Sequence, residues 1–521
     1  MGLLYKIDKR SAIPRWRNHN LALGSGELSP LGNKNQISPI DFSKASLNEQ
    51  IFSWNKFGTI SHAADLFSSA YTLGIENEFK DVAEFLFQNS NSISNVLIKQ
   101  IEEVLSVQDK NLLFIDVKFD FFSDEGKQKT INDISKLRNY LKKEPKNPLA
   151  WIELARNHSL LGNFKKSVDC IQTALHVNDT SDRFVLRSAS RFFHHLGDNE
   201  QAHSIIKKSK NLKIDPWLIS SEIAFSSILD RKSTLIKNGK EIIKSQKFSS
   251  FQISELASSL ATTDFFHGDF KNAKSLFKTA LISPNDNSLA QVLWFQQDFP
   301  FLNITEEQLK IPLAFEAQTQ SFYNERKYEE AYNSALRWLN DEPYSTRPVR
   351  LASYISTIFL NDNNKSIEIL KHGLKVNPKD LKLLNSLTYN LLLEDKIEEA
   401  EKYFTKFKFE NLKSEAFNTR VAYVATAGLY GFRTGKIELG RENYLESINH
   451  ASKQKNDYLS AIAIANYVRE EMMLYKTKHP MSDILIINSF MSKLIDLSKN
   501  LNHDDVFNLT NKAINEYNKI K

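Results

Sequence analysis

The chain has 521 residues, long for one compact core; 41% are hydrophobic and 25% charged, which excludes a disordered chain and fits a folded one. Only 16 glycines and 13 prolines occur, too few turn-makers for a large all-β protein. The single cysteine, Cys170, excludes an intramolecular disulfide and a cysteine-based zinc cluster, and the net charge of +6 is small beside 68 basic and 62 acidic residues.

In chain order, Met1-Gly-Leu-Leu-Tyr-Lys lacks the apolar core of a signal peptide. Lys6 stands where a myristoylation signal needs Ser or Thr, so the cytoplasm is the expected compartment. Residues 1–41 carry Gly24, Gly26, Pro30, Gly32 and Pro39 without periodicity and read as an irregular arm. Residues 42–147 read as an N-terminal helical region. Ala64, Leu66, Ala70, Phe79, Val82 and Leu86 predict one degenerate hairpin there, and Val96–Leu105 a further helix. Within this region Ile115, Val117, Phe119 and Phe121 alternate with Asp116, Lys118 and Asp120, the period of a short strand.

From Pro148 a repeat begins. Trp151, Leu154, Ala155 and His158 fall on one helical face, Gly162-Asn163 ends that helix and caps the next, and Ser167, Ile171, Ala174 and Leu175 form a second face. Leu186, Ala189, Gly197-Asp198, Ala202 and Ile206 repeat these places, as do Leu260-Ala261, Gly268-Asp269-Phe270, Ala273, Phe277 and Ala280. Further units carry Phe315, Tyr328, Ala331 and Trp338, then Ile367, Leu370 and Leu374, then Leu384, Leu387, Ile397, Ala400 and Phe404. The last carries Ala427-Gly428, Gly435 and Tyr444. A diverged unit fits Trp217–Lys247, and Ser288–Lys310 leaves room for a single helix plus a loop around Pro300.

The spacing Leu154 to Ala189 is 35 residues, Pro343 to Pro378 is 35, and Leu370 to Phe404 is 34. These units resemble the tetratricopeptide repeat, over roughly 148–454. No unit carries the full signature: His158 replaces the preferred aromatic and Ser167 the preferred Ala. The expected fold is all-α, an α-solenoid of stacked antiparallel helix hairpins, with capping helices in 455–521 (Tyr458–Lys476, Asp483–Lys499 and Asp504–Ile520).

The resemblance implies binding along a concave face lined by the first helix of each hairpin. The inward positions are then Arg156, Arg187, Arg191, His194 and His195, a set suited to carboxylates or phosphates. The plain reading of the same residues is a solvated helix face. Farther along the same face Leu351, Ile355, Ile358, Phe359, Tyr389, Leu392 and Leu393 read either as an apolar groove for an amphipathic helix or the chain's own N-terminal arm or, more simply, as interhelical core.

The expected function is a non-catalytic adaptor or regulatory scaffold that recruits a partner protein or peptide, with no cofactor, no metal and no membrane. The alternative is a nucleic-acid partner. Between Ile205 and Lys247 ten basic residues face four acidic ones, including Lys207, Lys208, Lys210, Arg231, Lys232, Lys237 and Lys240. No nucleic-acid-binding motif accompanies them. A third reading rests on Asp116-Val-Lys118, which resembles the metal-dependent nuclease motif of the restriction-endonuclease kind. That chemistry needs further carboxylates on a mixed sheet, and no other strand is visible in residues 1–147. Adjacent His194 and His195 point about 100° apart on a helix and do not readily share a metal ion.

Overall fold

The computed structural model describes residues 44–73, 76–93, 95–106, 123–178, 182–296, 299, 302–311, 314–342, 344–406, 417–501 and 503–520. Among these residues there are 26 α-helices and no strand. The arm of residues 1–41 and the alternating segment with Asp116 and Lys118 lie outside the described residues. No described helix is long and apolar enough to cross a membrane.

From Pro148 onward the helices come in antiparallel pairs. First helices begin at Pro148, Arg183, Pro216, Ser250 and Asp286, spacings of 35, 33, 34 and 36 residues. Asn147, Asp182, Asp215, Ser249 and Asn285 cap these five helices with a side-chain oxygen, and Pro148 and Pro216 occupy the first helical turn where no amide donor is needed. The diverged unit expected near Trp217–Lys247 is the pair Pro216–Ile228 and Ile236–Lys244. The stretch around Pro300 holds one full helix, Asp286–Phe295, and a single turn, Glu306–Leu309.

One backbone device closes the hairpins. Gly162, Gly197, Gly268 and Gly435 follow the ends of their first helices with φ of 72°, 84°, 82° and 76°. The next amide reaches back to close the helix end: Asn163 N to His158 O at 2.9 Å, Asp198 N to Phe193 O at 2.9 Å, Lys436 N to Gly431 O at 2.9 Å. Where the sequence has no glycine, Asp230, Arg326, Asn361 and Asp395 adopt the same left-handed conformation at φ of 53°, 62°, 56° and 52°. Asn163 holds the expected cap position, but its side chain makes no capping bond; Asp198 and Asp269 do.

Packing follows the small-and-large pattern of the repeat. Ala155, Ala261 and Ala400 are fully buried where helices approach, and Phe277 is fully buried among Phe265, Phe295 and Phe299. Phe404 stacks on Tyr430 with centroids 4.4 Å apart. Before the repeats, the expected single hairpin is two: Lys44–Phe57 with Ile60–Leu73, and Lys80–Gln88 with Asn95–Ser106, sharing Leu66, Phe67, Val82, Leu86 and Ile101 as core. The alternative apolar-groove residues Leu351, Ile355, Ile358 and Leu392 are buried, the interhelical-core reading.

Two compact units result. The first takes the described residues up to Glu325 together with Arg337–Tyr344; the second takes Arg326–Leu336 and Ser345 onward. The helix Tyr328–Asp341 contributes residues to both.

In the second unit the pair Phe417–Arg433 and Ile437–Lys453 meets through glycines. A Cβ on Gly431 would lie 2.7 Å from the Cα and N of Gly440, and one on Gly428 would lie 2.7 Å from the Tyr444 ring. Backbone cannot yield as a flexible side chain does, so Gly431→Ala is expected to lower stability by about 1–3 kcal/mol. Urea unfolding checks this, and an unchanged midpoint would mean that the two helices separate freely.

Candidate functional site: the inner wall of the first unit

In the first unit the first helices of successive hairpins pack against one another, and many of their polar side chains are buried. The helix Arg183–His195 carries four of the expected residues, Arg187, Arg191, His194 and His195, together with Arg183. Four-residue spacing places Arg183, Arg187 and Arg191 on one face. Arg183 pairs with Asp215 at 3.2 Å and lies 4.0 Å from the Trp217 ring centroid.

Arg187 reaches two hairpins along the stack. Its Nη2 donates to Glu255 Oε2 at 2.5 Å, and Glu255 also accepts from Asn285 Nδ2 at 2.7 Å. Arg191 faces Glu342 at 3.6 Å, and Glu342 accepts from Trp338 Nε1 at 2.9 Å. Arg156 meets Glu153 of its own helix at 3.4 Å. Sequence reasoning expects these arginines to hold carboxylates, and in the folded chain the carboxylates at hand are its own. No sequence signal pointed to Glu255 or Glu342, because each lies a unit or more away in the chain.

His194 and His195 part company, as neighbours on a helix must. His194 Nδ1 lies 2.7 Å from Asn199 Oδ1, with its ring edge-on to Phe225. His195 stands edge-on to Tyr344 at 5.3 Å between centroids. Burial pushes its pKa down to about 3; the charges of Arg191 and His194 act in the same direction, and Glu342 acts against them. Tyr389 belongs to the second unit. There its hydroxyl donates to Asn466 Oδ1 at 2.6 Å and accepts from Arg469 Nη1 at 3.3 Å.

Beside the wall is a buried cluster that the sequence did not announce. Glu222 accepts from Ser226 at 2.8 Å and from Ser233, and lies 3.1 Å from His203 Nε2. Burial raises its pKa, but these hydrogen bonds outweigh burial and hold it below the usual carboxylate range. Ser226 Oγ is 3.3 Å from the same His203 Nε2. A hydrolytic triad needs serine and carboxylate on opposite ring nitrogens, so this group is a structural clamp between helices.

The basic stretch is divided by its partners. Arg231 is tied to Glu200 through two bonds of 2.8 and 2.5 Å, and Lys240 to Asp264 at 2.9 and 3.0 Å. Lys207, Lys208 and Lys210 are exposed, as are Lys232 and Lys237, which line a pocket of about 740 Å³ with Lys240 and Lys244.

Two measurements follow. Removing Glu255 leaves Arg187 as an uncompensated buried charge, so Glu255→Ala is expected to cost about 3–5 kcal/mol in urea unfolding; a loss under 1 kcal/mol would show the pair to be solvated. For His195 the lowered folded pKa means that the unfolded chain binds a proton that the folded chain does not. Its stabilising contribution is therefore complete above about 6.5 and is lost as pH falls toward about 3. His195→Phe is expected to flatten the decline of stability between pH 6.5 and 5, and parallel curves for the two proteins would remove this role.

No protein-family model matches the chain, and a search of the curated proteins gives no match. Solved structures do align with it. A crystal structure of yeast Tom70 is 13% identical over 75% of this chain and 93% of that one, with a TM-score of 0.31. Cut9 from the APC/C heterotetramer Cut9–Hcn1 is 12% identical over 90% and 93%, with a TM-score of 0.37. A human IFIT1 dimer with m7Gppp-AAAA is 11% identical over 78% and 96%, with a TM-score of 0.35. On its own helix pairs, left-handed turns and 33–36-residue spacing, the chain is a tetratricopeptide-like helical-repeat solenoid.

Proposed function

We propose that the chain is a non-catalytic, cytoplasmic scaffold that recruits a partner protein or peptide through the inner wall of its repeats. The observation that carries this reading is hydrogen-bonding capacity left unspent on that wall. The Nε donors of Arg156 and Arg187 are buried without an acceptor, and the Arg156–Glu153 pair is long at 3.4 Å. A buried donor left unmet costs about 1–3 kcal/mol, so an acidic side chain brought by a partner gains by meeting it. In the second unit Arg469, beside Tyr389, likewise has a buried Nη2 without an acceptor.

Arg156 is the position to test, since its own partner lies on the same helical turn and Gln keeps most of the side chain. A partner isolated from the native host and then purified is expected to bind the full chain saturably. Arg156→Gln with His194→Ala is expected to weaken that binding at least tenfold at a temperature where circular dichroism shows the variant still folded. Equal affinity of the folded variant would move the site off this wall.

A second reading has its own observation, the exposed lysines of the basic stretch. In that reading the chain binds nucleic acid through Lys207, Lys208, Lys210, Arg231, Lys232, Lys237 and Lys240. RNA or DNA affinity is then expected to fall steeply between roughly 50 and 200 mM salt, and absence of binding at 50 mM would end this reading.

A further inference from the structure

The lysines of the basic stretch are not equivalent, and their placement points to something more compact than a charged surface. Lys237, Lys240 and Lys244 share one face of the Ile236–Lys244 helix at spacings of three and four, and the rise from Lys237 to Lys244 is about 10 Å. Lys232 approaches from the preceding turn, so that four lysines and one acid, Glu241, line a single open pocket of about 740 Å³. The pocket's base is held in place: Ser233 donates to the buried Glu222 and accepts from Leu235 N at 3.1 Å.

The neighbouring charges are spent on ion pairs, but most of those in the pocket are not. Arg231 is engaged by Glu200 and Lys240 by Asp264. Lys232, Lys237 and Lys244 form no ion pair among the described residues. Like charges gathered around one hollow repel one another, and an anion placed among them relieves that repulsion. One carboxylate carries a single charge and cannot reach lysines spread along two helical turns. Several linked phosphate groups can, and a pocket of this volume is of the size that small ligands occupy.

We propose that the pocket formed by Lys232, Lys237, Lys240 and Lys244 is a binding site for a compact cluster of phosphate groups. It deepens the second reading above and is independent of the inner wall, because the partner assay reads Arg156 and the following titration reads the lysines.

The test is a calorimetric titration of the full chain with inorganic tripolyphosphate at 50 mM salt. Saturable one-site binding is expected, weakened at least tenfold in the variant Lys232→Gln, Lys237→Gln, Lys244→Gln. Lys165→Gln with Lys166→Gln, an adjacent lysine pair outside the basic stretch and the pocket, is expected to stay within twofold of wild type. All five positions are exposed, and an unchanged melting temperature confirms that both variants fold. Absence of saturable binding by the wild type, or an equal loss in the two variants, would overturn the proposal. So would orthophosphate binding as tightly as tripolyphosphate, since a single phosphate would then suffice. A ten-nucleotide single-stranded RNA separates the sources. Displacement of tripolyphosphate at equal phosphate concentration assigns the site to a nucleic-acid backbone, and failure to displace assigns it to a free polyphosphorylated small molecule.

Discussion

No helix pair in this chain can bury its apolar face alone, and the structure depends on that constraint. Within each unit, first helices pack on second helices and on neighbouring first helices, so each core is continuous only while the pairs recur in register. Register is kept by the turn. A residue with positive φ just beyond the first helix reverses the chain within a few residues, and the amide that follows satisfies a helix-end carbonyl. Glycine does this without steric cost at Gly162, Gly197, Gly268 and Gly435, whereas Asp230, Arg326, Asn361 and Asp395 do it against their own Cβ. That four non-glycine residues accept the conformation shows how firmly the packing of the pair dictates the turn.

The first helices of the first unit show what stacking does to charge. A side chain solvated on an isolated helix becomes enclosed once first helices line up side by side. Serines at Ser220 and Ser259 let two first helices approach closely and bond across the contact at 2.8 Å, while longer side chains span between helices. Enclosed arginines need anions nearby, and Glu255 and Glu342 supply them from 68 and 151 residues farther along the chain. The wall is therefore polar and largely neutral.

The hairpins were legible in the sequence because helical spacing, glycine-bearing turns and capping residues are local signals. Pro148, Gly162, Ala155 and Phe277 each stand where the repeat places them. The degenerate N-terminal hairpin was legible only in part. Ala64, Leu66 and Ala70 carry the apolar period, but Lys44–Phe57, with its mixed sequence, reads weakly and owes its helix to packing. Arg156, Arg187 and Arg191 were legible as a stripe. Their state was not, because nothing in their vicinity in sequence announces Glu255 or Glu342. The pocket of Lys232, Lys237 and Lys244 was likewise seen as a run of charge before the fold sorted its paired members from its unpaired ones.

The sequence by itself determined the architecture: periodicity, small residues at helix contacts and turn residues at a repeating interval act over a few residues and survive divergence of the rest. Tertiary structure alone decided the electrostatics. Charge interaction depends on separation in space and on burial, and both are set by which hairpins become neighbours. The same arginine is a solvated surface group or half of a buried ion pair according to what the stack places opposite it.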